Sequence, residues 1–594
     1  MIGTEVTPRR IGELTWVNGP VVRARGSEQV GMYEVVLVGP EHLVGEVIGL
    51  DHREITIQVY EETSGLRSGT PVYGTGAPLS VELGPGLMSS VFDGLQRPLT
   101  VMEMRTGAWI GRGIRLTPLY RKGLWPFSPV AEEGAPVSGG SILGVVRETA
   151  LVEHRVMVPP GLSGRLVWLA GEGPLTLEDE IARIDNDREA IGVTMLQQWP
   201  VRRPRPYLER LRPSELLTTG QRVLDTFFSL PKGGTSAIPG GFGAGKTVVQ
   251  HQVAKWSDAD VIVYVGCGER GNEMADVLRQ FPELRDPRSG HPLMERTILI
   301  VNTSNMPVAA REASLYTGLT IAEYYRDMGL DVAMMADSTS RWAEALREIS
   351  GRLEELPAEE GFPAYLSTRL AEFYERAGRV TTFNGTTGSV SLIGAVSPPG
   401  ADFTEPVTQQ TRRFVRCFWA LDKELAAQRH FPAVDWLQSY SQYVDDLGPW
   451  WEAQGFGDWA MLRARALEIL QREGHLQQIV QLIGADALPD DQRLLLETAR
   501  LLREGFLQQD ATDQTDTFAG IDKQVGMLRL IVDFHDRAAR LVAAGCPIGV
   551  VRDLPVVTRL LRIRQTVPND RPDMLESIAQ ELSGQMDALQ RSYA

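Results

Sequence analysis

A chain of 594 residues, 43% of them hydrophobic and 23% charged, is too long for one core and predicts three or four domains. Its 76 acidic residues outnumber 60 basic ones, a formal net charge of -16; nucleic acid is therefore disfavoured as the main partner, because neutralising phosphates takes a basic face. Cys267, Cys417 and Cys546 are too scattered for a disulfide framework or zinc site and suit a reducing compartment, while no signal peptide and no apolar run of membrane-spanning length is found.

From Ile11 to about Val72 the chain is made of short alternating segments punctuated by glycine. Glu54-Ile55-Thr56-Ile57-Gln58-Val59-Tyr60 is the clearest, and the pattern predicts an N-terminal β-barrel over residues 1–72. Residues 73–115 open the nucleotide-binding domain. A second β-rich stretch, 116–190, carries Trp125-Pro126-Phe127, Gly139-Gly140 and Pro159-Pro160-Gly161 and reads as an inserted module. Pro200, Pro204, Pro206 and Pro213, interleaved with Arg202, Arg203 and Arg205, then predict a stiff connector.

Residues 191–440 read as a central α/β domain with a phosphate loop. Gly240-Gly241-Phe242-Gly243-Ala244-Gly245-Lys246-Thr247 spell G-x-x-x-x-G-K-[ST], between a short strand at Thr235 to Pro239 and a helical pattern from Val248 to Trp256. The glycines let consecutive N–H groups converge on phosphates, the helix adds its positive end, Lys246 supplies a charge and Thr247 a ligand for Mg²⁺. Val248 completes the loop side of the nucleotide site.

The β-branched run Val261-Ile262-Val263-Tyr264-Val265 follows and ends at Gly266-Cys267-Gly268-Glu269-Arg270-Gly271. This matches the dinucleotide fingerprint G-x-G-x-x-G, but that fingerprint belongs to the first strand of its βαβ unit, and a phosphate loop has already been used one unit earlier. The better use places Glu269 at a strand end, to orient and deprotonate an attacking water. Arg270 then faces the γ-phosphate or holds Glu269. The plainer alternative for this pair is a surface ion pair. A third strand pattern, Asp331 to Ser338, places Asp337 where a carboxylate holds Mg²⁺ through its water shell, or where it simply caps the next helix. Phe431 and Phe506 are candidates to sandwich an adenine ring, with ordinary core packing as the alternative. Beyond residue 440 the pattern turns helical, as in Leu494 to Leu507 and Val525 to Ala544, predicting a C-terminal α-helical domain over 441–594.

Several long strings resemble the catalytic A-type chain of V/A-type rotary ATPases. They are Ile238-Pro239-Gly240, Tyr264 to Met274, Met334 to Ala345, Phe431-Pro432-Ala433, Gly19-Pro20-Val21-Val22, Trp199-Pro200-Val201-Arg202 and Gly220-Gln221-Arg222-Val223-Leu224-Asp225. The inserted module resembles that family's bulge domain. The resemblance implies ATP and ADP as substrate and product, Mg²⁺ as cofactor, and synthesis or hydrolysis coupled to H⁺ or Na⁺ transport. It assigns Lys246, Glu269 and Arg270 to catalysis, Thr247 and Asp337 to the metal, and Phe431 with Phe506 to the adenine. It also implies an alternating ring of three such chains with three B-type subunits, which supply a completing arginine, together with central-stalk and peripheral-stalk partners. No nucleic acid is involved, and the implied location is cytoplasmic, peripheral on the inner face of the cell membrane. Ala487 to Arg493 resembles the segment that touches the rotor. Three positions depart from the pattern, one of them Ala244, which stands where eukaryotic relatives carry a cysteine inside the loop. Gly241 stands where proline is usual, and Thr512 where an aromatic is frequent, which predicts a missing wall in the adenine pocket. The competing classes are a helicase or secretion motor and a non-catalytic member of the same ring. The inserted module argues against the first, and the presence of Lys246, Thr247, Glu269 and Asp337 against the second.

Overall fold

The computed structural model describes residues 8–26, 30–52, 54–107, 111–571 and 573–593. The chain is multidomain, and it resolves into two compact units. One is made of the chain up to Leu211 with Ala259–Pro398 and Phe403–Phe414; the other of Arg212–Asp258, Pro399–Asp402 and Val415 onward.

The first unit begins with a closed six-stranded barrel. Its strands are β1 (Arg9–Asn18), β2 (Val21–Gly26), β3 (Glu34–Val38), β4 (Leu43–Asp51), β5 (Glu54–Val59) and β6 (Pro71–Pro78), joined in the order β1-β2-β5-β4-β3-β6. The alternation read in β5 sends Ile55 and Ile57 inward, where they meet Leu14, Val22, Val36, Val47 and Val72. Closure leaves this sheet without an exposed edge.

The inserted module is two four-stranded antiparallel sheets. One runs Pro136–Val137, Gly164–Leu169, Glu180–Asp185, Ala190–Thr194; the other Glu153–Met157, Ile142–Arg147, Trp125–Pro129, Gly173–Leu175. A fully buried carboxylate anchors it. Glu148 accepts from the backbone N–H of Gly86 and Met88, from His154 Nδ1 at 2.8 Å and from the Tyr325 hydroxyl.

The arginine- and proline-rich stretch is not an exposed spacer where it belongs to this unit. Arg202 lies between Glu46 and Glu312, 2.8 Å from each, with its guanidinium over the rings of Tyr33 and Tyr316. Arg205 is buried and pairs with Asp327 at 2.6 Å. The composition predicts a stiff connector without saying what it packs against; charge-paired and stacked guanidinium groups turn it into a seam.

The sheet that positions the catalytic candidates is also in this unit. Its order is Glu209–Leu211, Gly378–Thr381, Thr387–Val396, Asp331–Asp337, Val261–Cys267, Thr297–Asn302, Val91–Phe92. The last five are mutually parallel. Every residue of Val261–Cys267 is buried, as a parallel strand covered on both faces requires.

In the second unit, strand Thr235–Pro239 pairs in parallel with Cys417–Phe418, which pairs antiparallel with Tyr440–Ser441. Helix Lys246–Trp256 follows the phosphate loop, and the C-terminal part is helical: Val444–Ala453, Trp459–Ile483, Asp490–Arg500, Ile521–Ala543, Pro555–Thr566 and Asp573–Tyr593. The apolar run from Leu494 to Leu507 is not one α-helix. After Arg500 it widens into a π-helical turn, Leu501–Leu507. The buried guanidinium of Arg222 collects its end, donating to the carbonyls of Phe506 (2.6 Å) and Gln508 (2.7 Å) and to Asp516 (2.6 Å), so carbonyls orphaned at the helix terminus find a charged donor. Among the described residues no helix is long and apolar enough to cross a membrane.

Candidate nucleotide-binding site

The phosphate loop takes the shape its glycines allow. Gly243 and Gly245 have φ of 80° and 94°, in the left-handed region where a Cβ is strained. Gly245 is the residue from which helix Lys246–Trp256 starts, so the first turn's N–H groups, which no helical carbonyl can take, open towards the loop. Phe242 is 75% exposed and Val248 51%, while Ala244 is buried beneath the loop. Gly241 is also confined: a Cβ there would sit 3.1 Å from Cβ of Ala401. The Lys246 ammonium donates to the carbonyls of Gly240 (2.7 Å) and Gly241 (3.1 Å). Thr247 lies in the first turn beside it.

Next to the loop, in the same unit, is a cleft lined by Gln221, Ala244, Gly245, Val248, Val249, Gln252, Phe431, Pro432, Ala433, Gln509 and Ala511. Phe431 is 39% exposed, and its ring edge would be 3.9 Å from a Cβ at Gly245. Two walls are tied together by one residue. Gln509 accepts from Arg222 N–H (2.9 Å), donates to Gly220 O (2.8 Å), and its backbone N–H donates to Phe431 O (2.6 Å).

Two of the expectations for this cleft are corrected. Phe506 does not line it: the ring is fully buried, edge-on to Phe227 at 5.7 Å, because it sits on the inner face of the π-helical turn. Thr512 does not face it either. Its side chain turns back to Asp510, with Oγ1 at 2.7 Å and N at 2.8 Å from Oδ1, a local Asx-type turn that leaves Ala511 at the wall.

In the first unit, the strand ends bring two carboxylates together. Gly266 is in register with Asp337 across the parallel pair Val261–Cys267 and Asp331–Asp337, and Glu269 follows shortly after. Between them Gly268, φ 73°, admits the chain past Arg341, whose Cβ would be 2.5 Å from a Cβ there; alanine would not fit. Asp337 is 3% exposed and accepts from the Tyr264 hydroxyl at 3.0 Å. Arg270 is the residue preceding helix Gly271–Glu283, with an extended backbone (φ −68°, ψ 145°). Loss of hydration pushes the Glu269 carboxyl up to about 8, and the charges of Asp337 and Glu273 add to the shift. Two carboxylates in a partly buried site cannot both ionise cheaply. Tyr264 is pushed well above its usual value by burial and by Asp337, so it remains a donor. Arg341 and Glu344 form an ion pair on helix Thr339–Arg352 at 2.9 Å.

Sequence reasoning missed Gln221, Gln252, Gln509 and Tyr264. Gln221 lies inside the quoted string Gly220 to Asp225, but nothing in a linear pattern says that Gly220 and Gln509, 289 positions apart, share a wall.

Comparison with known proteins gives first the class. Residues 220–441 match the ATP synthase alpha/beta family nucleotide-binding domain, 14–76 its beta-barrel domain, 116–202 the barrel-sandwich domain, and 448–549 the C-terminal domain of V and A type ATP synthase. The A subunit of the A-type ATP synthase of Methanopyrus kandleri is 57% identical over 97% of this chain and 98% of its own length. The V-type ATP synthase alpha chain of Halothermothrix orenii is 56% identical over 98% and 99%, and the A subunit of the A-type enzyme of Thermococcus onnurineus 54% over 98% and 100%. The chain belongs to this family of A-type ATP synthase A subunits and V-type ATP synthase alpha chains. A likeness in fold alone extends to the assembled ATPase EscN of an enteropathogenic E. coli type III secretion system, with a TM-score of 0.62, 21% identity and coverage of 88% of this chain and 100% of that one.

Proposed function

We propose that the chain turns over ATP as the catalytic subunit of a rotary ATP synthase, with Lys246 and Thr247 on the phosphates, Glu269 on the attacking water and Asp337 on the metal side. The observation that supports this most is the phosphate loop, whose glycines at φ 80° and 94° lead directly into a helix start, the arrangement that suits a phosphate, in a chain 57% identical to the A subunit of an A-type ATP synthase. Lys246 already turns towards the loop, and an arriving triphosphate offers it charged oxygens in place of neutral carbonyls. Phe431 stacks on the base. Glu269, whose carboxyl is raised to about 8, becomes a competent base once cationic groups at the γ-phosphate favour its ionised form. Arg270 serves the same γ-phosphate.

Thr247 and Asp337 offer only oxygen, a hydroxyl and a buried carboxylate, which suits Mg²⁺ held largely by water and phosphate. Held there, Mg²⁺ would supply charge neutralisation at the phosphates. The chain works within a complex. The finer reading is an alternating ring of three such chains with three B-type subunits, central-stalk and peripheral-stalk subunits beside it, and a membrane sector reached only through them. The chain is then peripheral on the cytoplasmic face of the membrane and drives or is driven by H⁺ or Na⁺ transport.

The test is reconstitution. The isolated chain binds ATP and hydrolyses it slowly, and adding a B-type partner raises turnover by about 10³-fold or more, because an arginine supplied in trans carries that much of the rate. Full activity in a verified monomer would show that the site is complete in one chain.

A further inference from the structure

Two amides in the base cleft are left with complementary hydrogen-bonding ends. Gln221 is 3% exposed and lines the cleft. Its Nε2 donates to the Thr517 carbonyl at 3.0 Å; a carbonyl can only accept, so that contact assigns which end of the amide is nitrogen. Its Oε1 takes no hydrogen bond from the described residues. Gln252 lies one helical turn after Val248, on the same face of helix Lys246–Trp256, and also lines the cleft. Its Oε1 faces Thr517 Oγ1 at 3.5 Å, which leaves Nε2 as its available end. Thr517 thus gathers both side chains, one presenting an acceptor and the other a donor. Gln509, by contrast, has both ends of its amide engaged by Arg222 N–H and Gly220 O, so it positions the walls and reads nothing.

We propose that Gln221 and Gln252 read the purine edge, Gln221 accepting from the exocyclic amino group of adenine and Gln252 donating to the adjacent ring nitrogen, so that the cleft selects adenine over guanine. Guanine carries an oxygen where adenine has the amino group. It would set that oxygen against Oε1 of Gln221, two acceptors with no proton between them. Stacking on Phe431 does not discriminate in this way, since every base has a π-face. The reading explains why the cleft carries two glutamines where an aliphatic wall would pack as well. It rests on the assignment of this cleft as the base pocket.

The experiment is equilibrium binding to the full chain, in Mg²⁺ buffer, of ATP, GTP, inosine triphosphate and purine riboside triphosphate, which lacks the exocyclic group. Wild type is expected to bind ATP about tenfold more tightly than purine riboside or inosine triphosphate, the scale of one unmade buried hydrogen bond. Gln221→Leu should bring ATP down to the level of purine riboside triphosphate and change the latter less than about twofold. Gln252→Leu should weaken ATP and purine riboside triphosphate together and spare inosine triphosphate, whose ring nitrogen carries a proton. Equal affinity of wild type for ATP and purine riboside triphosphate overturns the proposal, and needs no variant to fold. An equal loss for all four nucleotides in Gln221→Leu overturns it too, by showing a purely structural contact to Thr517. The base-pocket assignment fails separately, if Phe431→Ala changes the affinity of none of them.

Discussion

The phosphate loop holds its ligand groups with exposed backbone and a lysine, whereas the end of strand Val261–Cys267 holds its carboxylates by burial. Around the loop Phe242 and Val248 are open and the glycines adopt conformations no other residue takes at low cost. At the strand end Asp337 and Tyr264 are almost fully buried and bonded to each other, and Glu269 is driven towards its neutral form. The loop is ready for an anion as it stands; the acid cluster is strained by its own like charges. If the roles proposed above hold, the chain binds nucleotide through one set of residues and completes its chemistry through another, and variants in the two should fail in different ways.

The sharpest way to break that division is Glu269→Gln in the reconstituted complex. The amide keeps shape and hydrogen bonding and loses the base, so turnover should fall about 10²- to 10⁴-fold, with the dissociation constant for ATP within a few-fold of wild type. Hydrolysis within a few-fold of wild type refutes the role given to Glu269. Lys246→Gln should do the reverse in the isolated chain: losing a charge-assisted contact weakens ATP about 10- to 100-fold, while AMP, which ends before the β- and γ-phosphates, loses little. A parallel loss for AMP would mean that the loop had collapsed.

The acid cluster can also be probed without nucleotide. A carboxyl raised from 4.5 to about 8 in the folded chain favours folding only while protonated, so this contribution is present below about pH 4.5 and lost as pH rises through about 8. Glu269→Gln mimics the protonated form at every pH. Its melting temperature should therefore match wild type at about pH 4 and exceed it at about pH 8.5. A gain that is the same at both would trace to packing and not to like charge.

Where candidate ligand groups follow one another along the chain, their placement on loop and strand ends is legible in the sequence. Gly240 to Thr247 is an unbroken run of residues whose chemistry is local, and Glu269 and Asp337 end apolar strands whose pattern is local too. The barrel and the helical end were readable for the same reason, from period and punctuation. What could not be read was set by tertiary partners. Arg202 and Arg205 read only as part of a stiff connector until Glu46, Glu312 and Asp327 are brought to them. Leu494 to Leu507 has a continuous helical period, yet widens from Leu501 onward, and Arg222 arrives from a remote segment to take the carbonyl of Phe506 at its end. Phe506, a stacking candidate as an aromatic and by the family resemblance, is turned inward by that same π-helical turn.

The smallest effects sharpen the comparison at the base. Phe431→Ala removes a half-exposed ring beside Gly245, and stacking worth about 0.5–1.5 kcal/mol should go with it, a loss of several-fold in ATP affinity. Thr512→Phe, read from pattern alone, would restore a missing wall and tighten binding. The structure reverses that expectation, because Thr512 is exposed and turned back onto Asp510, and a ring placed there points away from the cleft that Ala511 lines. ATP affinity should then stay within about twofold of wild type, while the lost turn costs about 1 kcal/mol of local stability. Titration of ATP against both variants decides the matter. A clear gain in affinity for Thr512→Phe would show that the segment from Asp510 to Asp516 rearranges when nucleotide binds, and that the wall is formed by the ligand and not beforehand.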